Sequence, residues 1–136
     1  MKKVASIKEG LCRTWLPLLE IQVQDLYICL IIDTGSTHCV LDRNVADLLE
    51  ERINIVGENR LHGIDGNFVN ASEGILNFKI DEKEYKQAFC FRQLGNAFSS
   101  IKNESGIEVH GILGNNFLVE NKWIIDYGKF EIYEFK

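Results

Sequence analysis

The feature that most limits how this chain can fold is the run Leu30-Ile31-Ile32-Asp33-Thr34-Gly35-Ser36, in which an apolar stretch delivers one carboxylate into a turn built around glycine. From Tyr27 to Ile32 the residues are mostly β-branched or aromatic, which predicts a buried strand. A buried strand that ends on an acid must satisfy that acid. The hydroxyls of Thr34 and Ser36 and the backbone N–H groups around Gly35 are the donors at hand, enough to hold a carboxylate ionised. An Asp-Thr-Gly triplet arises by chance in roughly one chain of this size in thirty at average residue usage. Asp-x-Gly after a strand is also ordinary turn chemistry, so the triplet alone leaves both readings open.

The 136 residues make one domain, large enough to bury about two-thirds of the surface exposed by the unfolded chain. Fifteen basic residues against twenty acidic give a net charge of −5 without a block of either sign. That excludes the clustered Lys and Arg on which nucleic-acid binding depends. No apolar run approaches the ~18 to 20 residues of a membrane span, and Val4-Ala5-Ser6-Ile7 after Lys2-Lys3 is cut short by Lys8-Glu9, too short for a signal peptide. The expected location is cytoplasmic, or periplasmic or anchored if a leader has been removed.

Cys12, Cys29, Cys39 and Cys90 form no C-x-x-C pair and have no His at zinc-finger spacing, so they read as reduced, small apolar residues. Cys39 follows His38, but neighbours on an extended segment point to opposite faces, which argues against a thiol-imidazole nucleophile. His38, His62 and His110 are too widely spaced to suggest a metal site. No metal and no cofactor is expected.

Residues 1–14 carry no clear period and read as an N-terminal arm or edge strand ahead of a domain spanning 15–136. Leu19, Ile21 and Val23 alternate with Glu20 and Gln22, and Gln24-Asp25 breaks this strand from the one leading to Asp33, which predicts a hairpin. After the turn, Cys39-Val40-Leu41 predicts a short strand. Asp42 stands at an N-cap position before a helix marked by Val45, Ala46, Leu48 and Leu49. Ile53 to Val56 returns to strand. Arg60 to Ile80 predicts strands around a loop, Gly63-Ile64-Asp65-Gly66-Asn67, whose Asp-Gly pair suits a β-hairpin. Another hairpin follows through Tyr85 to Phe91, and Leu94 to His110 predicts a long loop with at most one helical turn. Gly111-Ile112-Leu113-Gly114 predicts a strand, Asn115 to about Glu120 a short helix, and Trp123–Tyr127 and Lys129–Phe135 two last strands joined at Gly128. This count gives an all-β, single-lobed, closed or partly open barrel of short strands with two short helices.

Apolar-apolar-Asp-Thr-Gly-Ser, followed far downstream by Gly111-Ile112-Leu113-Gly114-Asn115-Asn116-Phe117-Leu118, resembles the retropepsin-like aspartic proteases, in particular the single-lobed aspartyl proteases of bacteria. The likeness runs from about Leu16 to Phe135. It implies an acid-protease-type barrel and a catalytic set of Asp33, Thr34, Gly35 and Ser36. In it Thr34 would bond across a dimer axis, the Gly35 N–H would bond the Asp33 carboxylate, and Ser36 would donate to the outer carboxylate oxygen. Val40 and Ile112 would line side-chain pockets. Gly63, Ile64, Asp65 and Gly66 would form a flap over bound peptide, with His62 near its tip. Retroviral members brace the dimer with an acid and an Arg at the positions held here by Thr37 and Asn115, so the resemblance lacks that brace.

Peptide hydrolysis by carboxylates uses two Asp side chains that share one proton. The chain has one Asp-Thr-Gly and no internal repeat. The expected enzyme is therefore an aspartic endopeptidase assembled as a homodimer, with a peptide or protein as its substrate. Asp25, Asp65 and Asp126 are the alternative second carboxylates. The competing reading, from another class, is a catalytically silent module of the same fold that binds a peptide strand or serves in an assembly.

Overall fold

The computed structural model describes residues 1–55 and 72–135. Strands β2 (Leu18–Val23) and β3 (Leu26–Ile32) form the expected hairpin, paired antiparallel without a break from Leu18↔Ile31 to Val23↔Leu26. Leu19, Ile21 and Val23 are buried and Glu20 is exposed, the period-two burial that the alternation dictates. Between the strands Gln24 takes the left-handed conformation, φ 55°.

The other strands of this sheet are β4 (Val40–Asp42), β5 (Ile53–Ile55), β6 (Glu73–Ile80), β7 (Lys83–Arg92) and β8 (Gly111–Leu113), all but β5 within the barrel. Six strands run in the order β2-β3-β8-β4-β7-β6, and the ring closes where Gln22 of β2 pairs with Lys79 of β6. β5 pairs with β6 as well. The position of β8 matters most for the chemistry of the chain. It lies parallel to β3 and antiparallel to β4, so the downstream glycine-flanked strand sits beside the strand that delivers Asp33.

β9 (Trp123–Asp126) and β10 (Glu131–Glu134) join β1 (Lys2–Ser6) in a separate antiparallel sheet, order β1-β10-β9. β1 is an edge strand of that sheet, and Val4 and Ile7 from the N-terminal segment enter the hydrophobic core. The last strand is shorter than its alternation predicts. Phe130 turns through φ 58°, and Asp126 Oδ1 accepts the Lys129 N–H at 3.0 Å, closing the turn.

Ile21, Leu30, Leu41, Leu113 and Phe117 are fully buried inside the barrel. Each such side chain contributes about 1.5–3 kcal/mol relative to exposure. Phe117 and Trp123 meet edge to face at 4.9 Å, and Phe78 stacks on Tyr85 at 5.6 Å. These rings fix the C-terminal helix against the barrel.

Of the helices, α2 (Arg43–Leu48) and α4 (Asn115–Glu120) are those expected. Asp42 stands at the N-cap of α2 without capping it through its side chain; its Oδ1 accepts the Leu94 N–H at 3.0 Å instead. Two further helices correct the expected count. α1 (Lys8–Thr14) packs its buried Gly10 against Leu18, where a Cβ would lie 2.7 Å from the Leu18 Cβ. α3 (Gly95–Ser105) replaces most of the expected loop and ends at Gly106, φ 77°. No helix among the described residues is long and apolar enough to cross a membrane.

Candidate active site

β3 ends by handing Asp33 to its neighbour strand: the Asp33 N–H donates to the Leu113 carbonyl at 3.0 Å. Its carboxylate then closes on its own turn, with Oδ1 accepting the Gly35 N–H at 2.9 Å. The Ser36 N–H donates to the Asp33 carbonyl at 3.1 Å, completing a tight loop with Thr34 and Gly35 exposed at the tip and Asp33 half-buried behind them. Of these donors the Gly35 N–H alone reaches the carboxylate, and a main-chain donor of this kind favours a carboxylate's charge.

The loop rests on the start of α4. Asn115 donates twice to it, through its backbone N–H to the Ser36 carbonyl at 2.8 Å and through Nδ2 to the Thr34 carbonyl at 2.6 Å. Gly114 lets the two segments touch: a Cβ there would lie 2.4 Å from the His38 carbonyl oxygen and 3.0 Å from that of Ser36. At Gly111 a Cβ would lie 2.4 Å from the Val40 carbonyl oxygen, so β8 and β4 approach too closely for any side chain. Backbone closeness thus explains both glycines.

Beneath the loop, the buried Cys39 thiol accepts the Gly114 N–H and donates to Asn116 Oδ1, both at 3.4 Å. Burial pushes this thiol up to about 11, and it does the same to Cys29. Neither is a thiolate at neutral pH, which disfavours thiol chemistry at either position. All four cysteines are free, and Cys12 is exposed rather than packed as an apolar residue.

The Ser36 side chain departs from its expected contact. Its Oγ donates to the His38 carbonyl at 2.7 Å, and a hydroxyl has one proton to give. The Thr37 hydroxyl pairs with His38 Nδ1 at 2.8 Å. Asn115, which stands where the resemblance has an Arg, braces the loop within one chain instead of through a charged pair.

Val40 and Ile112 are half-buried and directly opposed across the β4–β8 pairing, next to the loop. Val40 shares a shallow concavity of about 280 Å³ with Ser36, Thr37, His38, Cys90 and Arg92. Gly63, Ile64, Asp65, Gly66 and His62 lie outside the described residues.

Of the alternative carboxylates, the two among the described residues have other partners. Asp25 pairs with Arg52 at 3.1 Å, a contact that lowers its carboxyl below the usual range. It occupies the far end of β3, about 26 Å from Asp33 for eight residues at roughly 3.3 Å each. Asp126 closes the turn before β10. The bonds of Cys39 to Gly114 and Asn116 were not legible in the sequence, because they span 75 and 77 residues.

No protein-family model matches the chain, and no curated protein matches it by sequence. Solved structures do match. The retroviral protease-like domain of Ddi1 from Leishmania major superposes with a TM-score of 0.56 at 10% identity, covering 88% of this chain and 90% of that domain. A looser likeness, TM-score 0.45 at 17% identity, is to a retropepsin-like aspartic protease from Rickettsia conorii, covering 85% of this chain and 77% of that one. The chain has a retropepsin-like fold.

Proposed function

We propose that the chain is an aspartic endopeptidase that works as a homodimer, with Asp33 of each copy forming the catalytic dyad. The observation that carries this reading is the half-buried Asp33 carboxylate, bonded at 2.9 Å to the Gly35 N–H and set behind an exposed Thr34-Gly35 tip. One copy supplies half of the chemistry, and the exposed tip offers the surface over which a second half would meet the first.

In this mechanism two Asp33 carboxylates face each other across a two-fold axis and hold one proton between them. The ionised member takes a proton from a water as the water oxygen bonds to the scissile carbonyl carbon. The protonated member gives its proton to the carbonyl oxygen. The tetrahedral diol then collapses with cleavage of the C–N bond, and a proton passes to the leaving nitrogen. Thr34 ties the two loops together, and Val40 and Ile112 contact side chains of an extended peptide. The chemistry needs no metal or cofactor.

The test is incubation of the purified protein with an unfolded protein substrate across mildly acidic pH, with fragments read by mass spectrometry. Wild type should release peptides and Asp33→Asn should release none. Peptide binding by both proteins without cleavage by either would favour the silent peptide-binding module and overturn the enzyme.

A further inference from the structure

We infer that His110 is a positioning residue for Asp33, holding β3 in place through an imidazole nitrogen that can do so only while the ring is neutral. The inference rests on the reading of Asp33 as half of a dyad for its functional consequence, and on geometry alone for its structural one.

His110 stands immediately before β8. Both main-chain groups of Cys29, on β3, go to this one residue: the Cys29 carbonyl accepts the His110 N–H at 2.8 Å, and the Cys29 N–H donates to His110 Nδ1 at 2.9 Å. The His110 carbonyl accepts the Asp42 N–H at 2.8 Å, so the same residue also fastens the end of β4. Three strands meet on it. β3 carries Asp33, β8 receives the Asp33 N–H at Leu113, and β4 carries Val40.

A backbone N–H can donate to Nδ1 only if that nitrogen carries no proton, which fixes the neutral tautomer with its hydrogen on Nε2. Protonation sets a donor against a donor. Among the described residues the ring then has one acid partner within reach, Glu108, whose Oε1 lies 3.8 Å from Nε2 and which also pairs with Lys102 at 3.3 Å. The alternatives are therefore discrete: the neutral ring holds Cys29, and the charged ring swings to Glu108.

The charged groups around the ring are Glu108 on its own segment and Asp42 on β4, both of which favour the proton. Glu9 of α1 and Glu20 of β2 line the same concavity with Tyr27 and Cys29 of β3. Burial opposes the proton and is the larger effect, so the imidazole lies below its ordinary range. A lowered His value means the hold is complete above the unfolded value of about 6.5 and is lost as pH falls through the folded one. An Asp33 dyad works in acid, so its acidic limb would be cut by His110 before the carboxylates themselves are fully protonated.

The experiment compares wild type with His110→Asn, whose Oδ1 can accept at the Nδ1 position without titrating, and with His110→Phe, which keeps a ring and loses the acceptor. Amide exchange at Cys29, corrected for the intrinsic rate, is read at pH 7 and pH 5. Protection in wild type should fall by about tenfold or more, should not fall in His110→Asn, and should be low at both pH values in His110→Phe. On a peptide substrate His110→Asn should extend activity to lower pH. Equal protection of wild type at both pH values overturns the inference, as does an equal loss in His110→Asn. Should neither variant fold, the imidazole nitrogens of wild type decide: Nδ1 without a proton at pH 7, titrating together with the Cys29 amide signal, upholds the inference, and a protonated Nδ1 at pH 7 ends it. A wild type that cleaves nothing yet shows the pH-dependent exchange refutes the dyad and leaves the positioning role standing.

Discussion

Asn115 Nδ2 donates to the Thr34 carbonyl at 2.6 Å, across 81 residues of sequence, and so fixes the tip of the Asp33 loop from the first residue of α4. The same residue's N–H holds Ser36 at 2.8 Å, which the side chain does not affect. Asn115→Asp keeps the size and replaces a donor with an acceptor facing a carbonyl. The loss should be about 1–3 kcal/mol of stability, measured by denaturant unfolding. Cleavage should fall further than stability explains, because the loop that orients Asp33 is freed at its tip. Unfolding and activity both equal to wild type would show that the bond holds nothing.

Gly114 faces a harder limit, since a Cβ would come within 2.4 Å of the His38 carbonyl oxygen, a main-chain atom that cannot rotate away. Gly114→Ala should destabilise by about 2–3 kcal/mol or prevent folding, as overpacking against fixed backbone does. Gly95→Ala is the control, with nothing within 4 Å of the added methyl. That change, at the start of α3, should be neutral or slightly stabilising. Similar midpoints for the two variants in urea would contradict the close approach.

The contrast between these positions shows what was legible in the sequence. Strand alternation is local, so the β2–β3 hairpin and the delivery of Asp33 could be read from residues 18–36 alone. The resemblance linked that loop with Gly111–Leu118 only as successive motifs, and the barrel shows the physical link, with β8 between β3 and β4. α3 was hard to read because none of its residues is fully buried and its apolar face is short, Leu94, Phe98 and Ile101 being half-buried at helical spacing among polar residues. It is held by long-range bonds such as Arg13 Nη2 to the Ser105 carbonyl at 2.5 Å. Gly106 after its last turn was a further local signal. The direction of the Ser36 hydroxyl was not legible either, since the carboxylate and the His38 carbonyl compete for one proton and only the loop's shape chooses between them.

That choice alters what Ser36→Ala should do. A hydroxyl donating to the dyad would favour its charged form, and removing it would move the acidic limb of the pH profile upward. With Oγ on the His38 carbonyl at 2.7 Å, the limb should stay within about 0.3 units. The variant should lose about 0.5–1.5 kcal/mol of stability instead. A limb displaced by a full unit would place Ser36 on the dyad in the assembled enzyme.

Thiol reactivity separates the cysteines by environment. Cys29 and Cys39 are both pushed up to about 11 by burial, whereas Cys12 is exposed on α1. Alkylation at pH 8 should label Cys12 first and leave Cys39 unmodified until the protein unfolds. Rapid labelling of Cys39 in the native state, followed by tryptic mapping, would show that the Gly114 and Asn116 contacts are not kept.

Dependence on a second copy is the most consequential expectation of the proposed mechanism. Thr34 and Gly35 are exposed at the loop tip, and Asp25, in the turn of the β2–β3 hairpin, lies at the opposite end of β3 paired with Arg52. Asp25 is therefore not placed to share a proton with Asp33 at that loop, and the proposed mechanism takes the second carboxylate from the Asp33 of another copy. Specific activity should rise with protein concentration until dimer saturates, following mass action, and the rise should coincide with the change in mass seen by light scattering. Mixing wild type with excess Asp33→Asn adds a stricter test. Mixed dimers hold one carboxylate, so activity should drop toward the fraction of wild-type pairs as subunits exchange. Constant specific activity from a species that stays monomeric, or full activity in the mixture after exchange, would end the symmetric dyad.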